Sequence, residues 1–145
     1  MRQLRRNVLL LAALATIGCR ESTTPSSSPI YYSLSNVNGQ RLPVVLISPI
    51  PEQDVTLISS AISLFGDGNG VFVDRLRGQS TVEADYRTTF KYQLSGSTIT
   101  INSCSGGASC DFQGAVNGLT LNLARGVRLQ DNAPLLYSYQ RWLPD

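Results

Sequence analysis

Tyr86-Arg87-Thr88-Thr89-Phe90-Lys91-Tyr92-Gln93-Leu94-Ser95-Gly96-Ser97-Thr98-Ile99-Thr100-Ile101-Asn102 is the stretch on which the fold turns. Phe90, Tyr92 and Leu94 recur at every second residue, so they share one face of an extended strand. Ser95-Gly96-Ser97 is turn-forming, and beyond it Ile99 and Ile101 resume the alternation. Two half-apolar strands joined by so short a turn make a hairpin. The single apolar face of a hairpin must be covered by more sheet.

The same pattern extends in both directions. Upstream, Tyr31–Val37 is a strand followed by Asn38-Gly39, the pair favoured in type I′ hairpin turns. Leu42–Ser48 follows, with Pro43 marking an edge or a strand end, and Pro49-Ile50-Pro51 breaks it. Val55–Phe65 is long and rich in β-branched residues, with a bend expected at Ser59-Ser60. Gly66-Asp67-Gly68-Asn69-Gly70 turns into Val71–Leu76, and residues 79–85 read as a loop. Downstream, Asp111–Val116 faces Leu119–Leu123 across Asn117-Gly118, with Leu119, Leu121 and Leu123 as an apolar row. Leu135–Trp142 is the last strand. Beyond the N-terminal segment no ten-residue stretch has helical periodicity. The expectation is an all-β domain over residues 30–145, a small antiparallel up-and-down barrel of about eight or nine strands. Pairing Tyr31–Val37 with Leu135–Trp142 closes it, because two open edges would invite pairing with other molecules.

The N-terminal segment has a different character. Arg2, Arg5 and Arg6 precede the apolar run Val8–Ile17. That run is shorter than the about 20 residues needed to span a bilayer, and its lengths match a signal peptide, an N-terminal signal helix over residues 1–18. The run ends in Thr16-Ile17-Gly18-Cys19, which resembles the bacterial lipobox, with Thr16 where leucine is usual. The resemblance implies acylation of Cys19. Cleavage after Ala15 as an ordinary signal peptide is the alternative, and Arg5-Arg6 also resembles a twin-arginine signal. Two or more acyl chains anchor stably where one does not. Arg20 stands where an aspartate favours inner-membrane retention, which points to the outer membrane, facing periplasm or surface. Residues 19–29 read as the lipidated cysteine and a disordered Ser/Thr/Pro tether, too polar to offset its own ordering entropy.

Within the barrel region, Tyr32-Ser33-Leu34-Ser35-Asn36-Val37-Asn38-Gly39-Gln40-Arg41-Leu42-Pro43 resembles the "Y-x-L-x-x-V-N-G-x-x-L-P" opening of small uncharacterised bacterial lipoproteins. Leu64-Phe65-Gly66-Asp67-Gly68 is similar to their "L-x-x-D-G" hairpin, and Tyr137-Ser138-Tyr139-Gln140-Arg141 to their "Y-x-Y-x-R" last strand. That resemblance implies a lipocalin-like, calycin-type barrel and no catalytic residues. The Gly-x-Trp opening of true lipocalins is absent.

Composition narrows the chemistry. The net charge of +2 includes Arg2, Arg5 and Arg6, so the chain after residue 18 carries one more acid than bases and nucleic acid is not an expected partner. The absence of histidine excludes ordinary Ser-His-Asp and Cys-His catalysis and the commonest zinc ligand. Neither a metal nor another cofactor is expected, and the chain does not read as an enzyme. Cys104 and Cys110 bracket a five-residue loop and in an exported protein form a structural disulfide.

Other residues admit two readings each. Asp67 and Asn69 suggest calcium, but Val71 occupies the fifth loop position, and a plain hairpin turn is the simpler reading. Glu83 and Asp85 could share a strand face as paired acids do in glycosidases, or stand solvated. Arg141, if inward, needs a carboxylate or a ligand anion; otherwise it is a barrel-end arginine. Tyr92, Tyr137, Tyr139 and Arg141 are the candidate ligand-binding residues, with core packing as the alternative for the tyrosines. Two functions follow: a membrane-anchored, non-catalytic barrel holding a small apolar or amphipathic ligand, or an envelope structural or protein-interaction module with a filled core.

Overall fold

Asn38 and Gly39 take φ of +50° and +79°, the double left-handed conformation that a type I′ turn demands, and the chain reverses there. The computed structural model describes residues 28–46, 54–79, 81–105, 110–127 and 133–143. The expected signal peptide, Cys19 and most of the expected tether lie outside the described residues. Among the described residues ten strands form: β1 (Ile30–Val37), β2 (Gln40–Arg41), β3 (Val44–Leu46), β4 (Val55–Leu64), β5 (Asn69–Arg77), β6 (Glu83–Ser95), β7 (Thr98–Cys104), β8 (Phe112–Asn117), β9 (Thr120–Val127) and β10 (Pro134–Arg141).

Eight of them close into an antiparallel up-and-down barrel in the order β1-β4-β5-β6-β7-β8-β9-β10 and back to β1. The expected closure is present: Tyr32 pairs with Arg141, Leu34 with Tyr139 and Val37 with Tyr137. The other edge of β1 is shared, Ile30–Ser33 with β4 and Asn36–Val37 with β2. β3 runs along the first part of β4, so the β2–β3 segment occupies the place where β1 and β4 part, and Val44 joins the core.

Several expectations are corrected. The expected strand Leu42–Ser48 starts later, at Val44 after Pro43, since proline cannot donate to a ladder; β3 is Val44–Leu46, and residues 47 and 48 lie outside the described residues. Glu83–Asp85 belong to β6 and not to a loop. The β8–β9 turn is Gly118-Leu119, with Asn117 paired to Thr120. Gly118 has φ +57° and Leu119 an ordinary φ, as in a type II′ turn with glycine first. Leu119 therefore sits in the turn and is exposed, while Leu121 and Leu123 are fully buried. Leu94, at the far end of β6, is also exposed. The irregularity in β4 falls between Leu57 and Ser59, just before the expected bend.

The core lies inside the ring. Phe72, Ile62, Ile99, Ile101, Leu121 and Tyr139 are completely buried, and Phe90 lies 4.4 Å from Phe72 between ring centroids. The barrel has two poles. The lower pole carries both described chain ends and the turns at Phe65–Gly68, Gly96-Ser97 and Gly118-Leu119. The upper pole carries Asn38-Gly39 and the β5–β6 and β7–β8 connections. Cys104 and Cys110 are joined, with Cα atoms 5.9 Å apart. Closing so short a loop contributes about 2 kcal/mol.

Candidate functional site

Strand alternation aims Phe72, Asp74 and Leu76 of β5 inward, and likewise Leu121, Leu123 and Arg125 of β9. In an eight-strand ring β5 and β9 stand four places apart, on opposite walls. Asp74 and Arg125 meet across the lumen. Nη1 donates to Asp74 Oδ1 at 3.0 Å and Nη2 to Oδ2 at 2.5 Å, a bidentate pair. The pair is nearly enclosed, with side chains 12% and 18% exposed.

The surroundings complete the network. The Ser60 hydroxyl of β4 donates to Asp74 Oδ1 at 2.5 Å. With that hydrogen committed, the Tyr139 hydroxyl, 3.2 Å away, donates to Ser60. The guanidinium lies 4.2 Å above the Phe72 ring centroid and 5.6 Å from that of Tyr137. Burial opposes the charge of Arg125. The hydrogen bonds and charge of Asp74 outweigh it, so its pKa stands above the ordinary value. Burial pushes the Tyr139 phenol up to about 12, although the Arg125 charge pulls it down. Burial also raises Tyr137.

The network has no free reacting group. Ser60 faces a carboxylate already clamped by arginine, which is a poor general base. Among the described residues every buried side-chain nitrogen and oxygen has a hydrogen-bond partner. No group of three His, Cys, Asp or Glu side chains stands together there as metal ligands.

The four tyrosine and arginine candidates do not converge. Tyr137 and Tyr139 stack at 6.4 Å and belong to this network. Tyr92 lies at the lower pole. Its hydroxyl donates to the Phe65 carbonyl at 2.6 Å and its amide to that of Gly68 at 2.8 Å, pinning the β4–β5 turn. Arg141 is exposed at the same pole and does not point into a buried site. Its charge reaches Tyr32, whose phenol is raised by burial and lowered by Arg141.

Of the other residues singled out, Asp67 lies in the β4–β5 turn, and Glu83, Asp85, Tyr31 and Trp142 are exposed. Asp67 accepts from the Asn69 amide at 3.0 Å and from Asn69 Nδ2 at 2.8 Å, which closes the turn and lowers its pKa. Glu83 and Asp85 share the outer face of β6, where Arg75 bridges them at 3.2 and 3.5 Å. Tyr31 and Trp142 are exposed and meet edge to face at 6.3 Å.

Asp74 and Arg125 are absent from the residues the sequence singles out. The available signal is phase. Phe72-x-Asp74-x-Leu76 and Leu121-x-Leu123-x-Arg125 each put a charge where the alternation expects an apolar residue. Two opposite charges at inward positions ask to be paired. Outside the barrel, Phe65, Asn69, Arg87, Thr89, Lys91 and Ser105 line an open cleft of about 470 Å³ on the β5–β6 wall. Comparison with protein-family models, curated proteins and solved structures returned no match.

Proposed function

We propose that the chain is an exported, lipid-anchored envelope module, a filled lipocalin-like barrel that acts through its outer surface and not by catalysis or by holding a ligand inside. The observation that carries this reading is the Asp74–Arg125 tie between opposite walls. A small apolar ligand in the lumen would have to lie against that charge pair or break it. Breaking one partner away from a buried pair costs about 3–5 kcal/mol. Among the described residues every buried side-chain nitrogen and oxygen already has a partner, so none of these waits for a guest.

The anchor is supported by the sequence alone, through the apolar run ending at Gly18-Cys19 and the polar tether after it. The closed eight-strand ring is compatible with a lipocalin-like fold. Mass spectrometry of the protein taken from the envelope tests both halves. Intact mass should exceed that of residues 19–145 by a diacyl or triacyl group, and native mass should show the barrel without a guest. An N-terminus at Thr16 with no added mass would overturn the anchor. A stoichiometric co-purifying ligand would overturn the filled barrel and favour the small-ligand reading.

A further inference from the structure

β6 has thirteen residues, but β7 pairs only with Phe90–Ser95. At Thr89 the neighbouring strand peels away. The Thr89 carbonyl accepts from the Ser105 amide at 2.8 Å, and its own amide donates to Ser105 Oγ at 3.0 Å. Both groups therefore point to the β7 side. Strand alternation directs the amides and carbonyls of Glu83, Asp85 and Arg87 to that side too, where β7 no longer runs. Among the described residues no strand pairs with this edge of six residues, Glu83–Thr88, which rises above the barrel rim. Its side chains are exposed on both faces from Glu83 to Arg87, Tyr86 at 56%.

Charged residues on an edge ordinarily prevent pairing. Here the charges are of opposite sign and symmetric about Tyr86, with Asp85 before it and Arg87 after it. We infer that two copies of this chain join through β6, antiparallel, with a two-fold axis through Tyr86. In that register Asp85 of each copy lies opposite Arg87 of the other, twice over. These are the residues whose backbone groups face outward, so each Asp85–Arg87 pair exchanges two backbone hydrogen bonds. Shifting the axis to Asp85 would place two aspartates face to face, which is repulsive. The length fits as well. β6 starts at Glu83, so the second copy's strand ends as it reaches Thr89, where Ser105 closes the edge. The added strand continues the sheet by main-chain bonds, as in strand addition generally.

Tyr86 on the axis forms a pair without hydrogen bonds, with Cα atoms about 4.5 Å apart, within disulfide reach. The full-length Tyr86→Cys chain, oxidised in whole cells, is expected to give a species of twice the chain mass, with or without a lipid anchor. Wild type, which reports any link through Cys19, and Asn117→Cys at the opposite pole should stay single. Within the Tyr86→Cys chain, Asp85→Arg or Arg87→Asp should each cut the yield several-fold, and the two together should restore it. The inference is overturned by a folded Tyr86→Cys chain that stays single or links to another protein. It is equally overturned by equal linking at Asn117→Cys, or by a double reversal that fails to rescue.

Discussion

Asp74 and Arg125 are each intelligible only through the other. A carboxylate or a guanidinium removed from water alone is too costly to keep, and the bidentate contact makes both tolerable. Asp74→Leu should therefore destabilise the barrel by about 3–5 kcal/mol, and Arg125→Met by a similar amount. The double variant should recover most of that loss, since it leaves no charge behind. Urea unfolding of the four proteins checks this, and a double variant that loses the sum of the single effects would contradict it. Tyr139 adds a pH dependence. Its phenol is held at about 12 against an ordinary 10. The folded chain keeps that proton over a range in which the unfolded chain has lost it. The stabilisation is complete below pH 10 and is lost as pH rises through about 12. Tyr32, Tyr92 and Tyr137 shift in the same direction. Denaturation midpoints should fall between about pH 10 and about pH 12, and less steeply in Tyr139→Phe. An unchanged slope in that variant would remove Tyr139 from the account.

Single strands depend on how closely their backbones approach. A Cβ built on Gly114 in β8 would stand 2.2 Å from the Asn122 carbonyl oxygen in β9. Neither atom belongs to a flexible side chain, so the two strands must separate to admit it. Gly114→Ala should cost about 1–3 kcal/mol in thermal or chemical unfolding. A neutral effect would mean that the β8–β9 contact is looser than described. The elements also mark what a sequence can and cannot disclose. Asn38-Gly39, the alternation of Ile99 with Ile101 and the aromatic last strand were legible because each is a local signal. Glu83–Asp85 were not, because a strand above the rim is wet on both faces and has no apolar phase to betray it. The β8–β9 turn was misplaced by one residue because glycine suits either central position, and only the pairing of Asn117 with Thr120 decides. The Asp74–Arg125 tie joins positions 51 residues apart, and each charge alone reads as solvated surface.

The whole molecule stands or falls with closure. β10 supplies the wall between β1 and β9 and buries Tyr137 and Tyr139. Ending the chain at Ala133 should abolish cooperative unfolding altogether. Each large apolar side chain contributes about 1.5–3 kcal/mol, against a typical domain total of about 5–15. A truncated chain that still melts cooperatively near the wild-type temperature would argue for an open sheet.

The contact between the chain ends leads further. The Trp142 amide donates to the Tyr31 carbonyl at 2.9 Å, so the first and last described residues of the barrel are neighbours. A ring whose ends already touch has no privileged starting point. Joining Trp142 to Ile30 by a few glycines and opening the chain at Gly96-Ser97 would yield a circular permutant with every neighbour relation of the wall intact. That permutant should fold and melt cooperatively where the truncated chain does not. The difference would show that the wall must be complete, while the order in which the ribosome delivers its strands is free to vary.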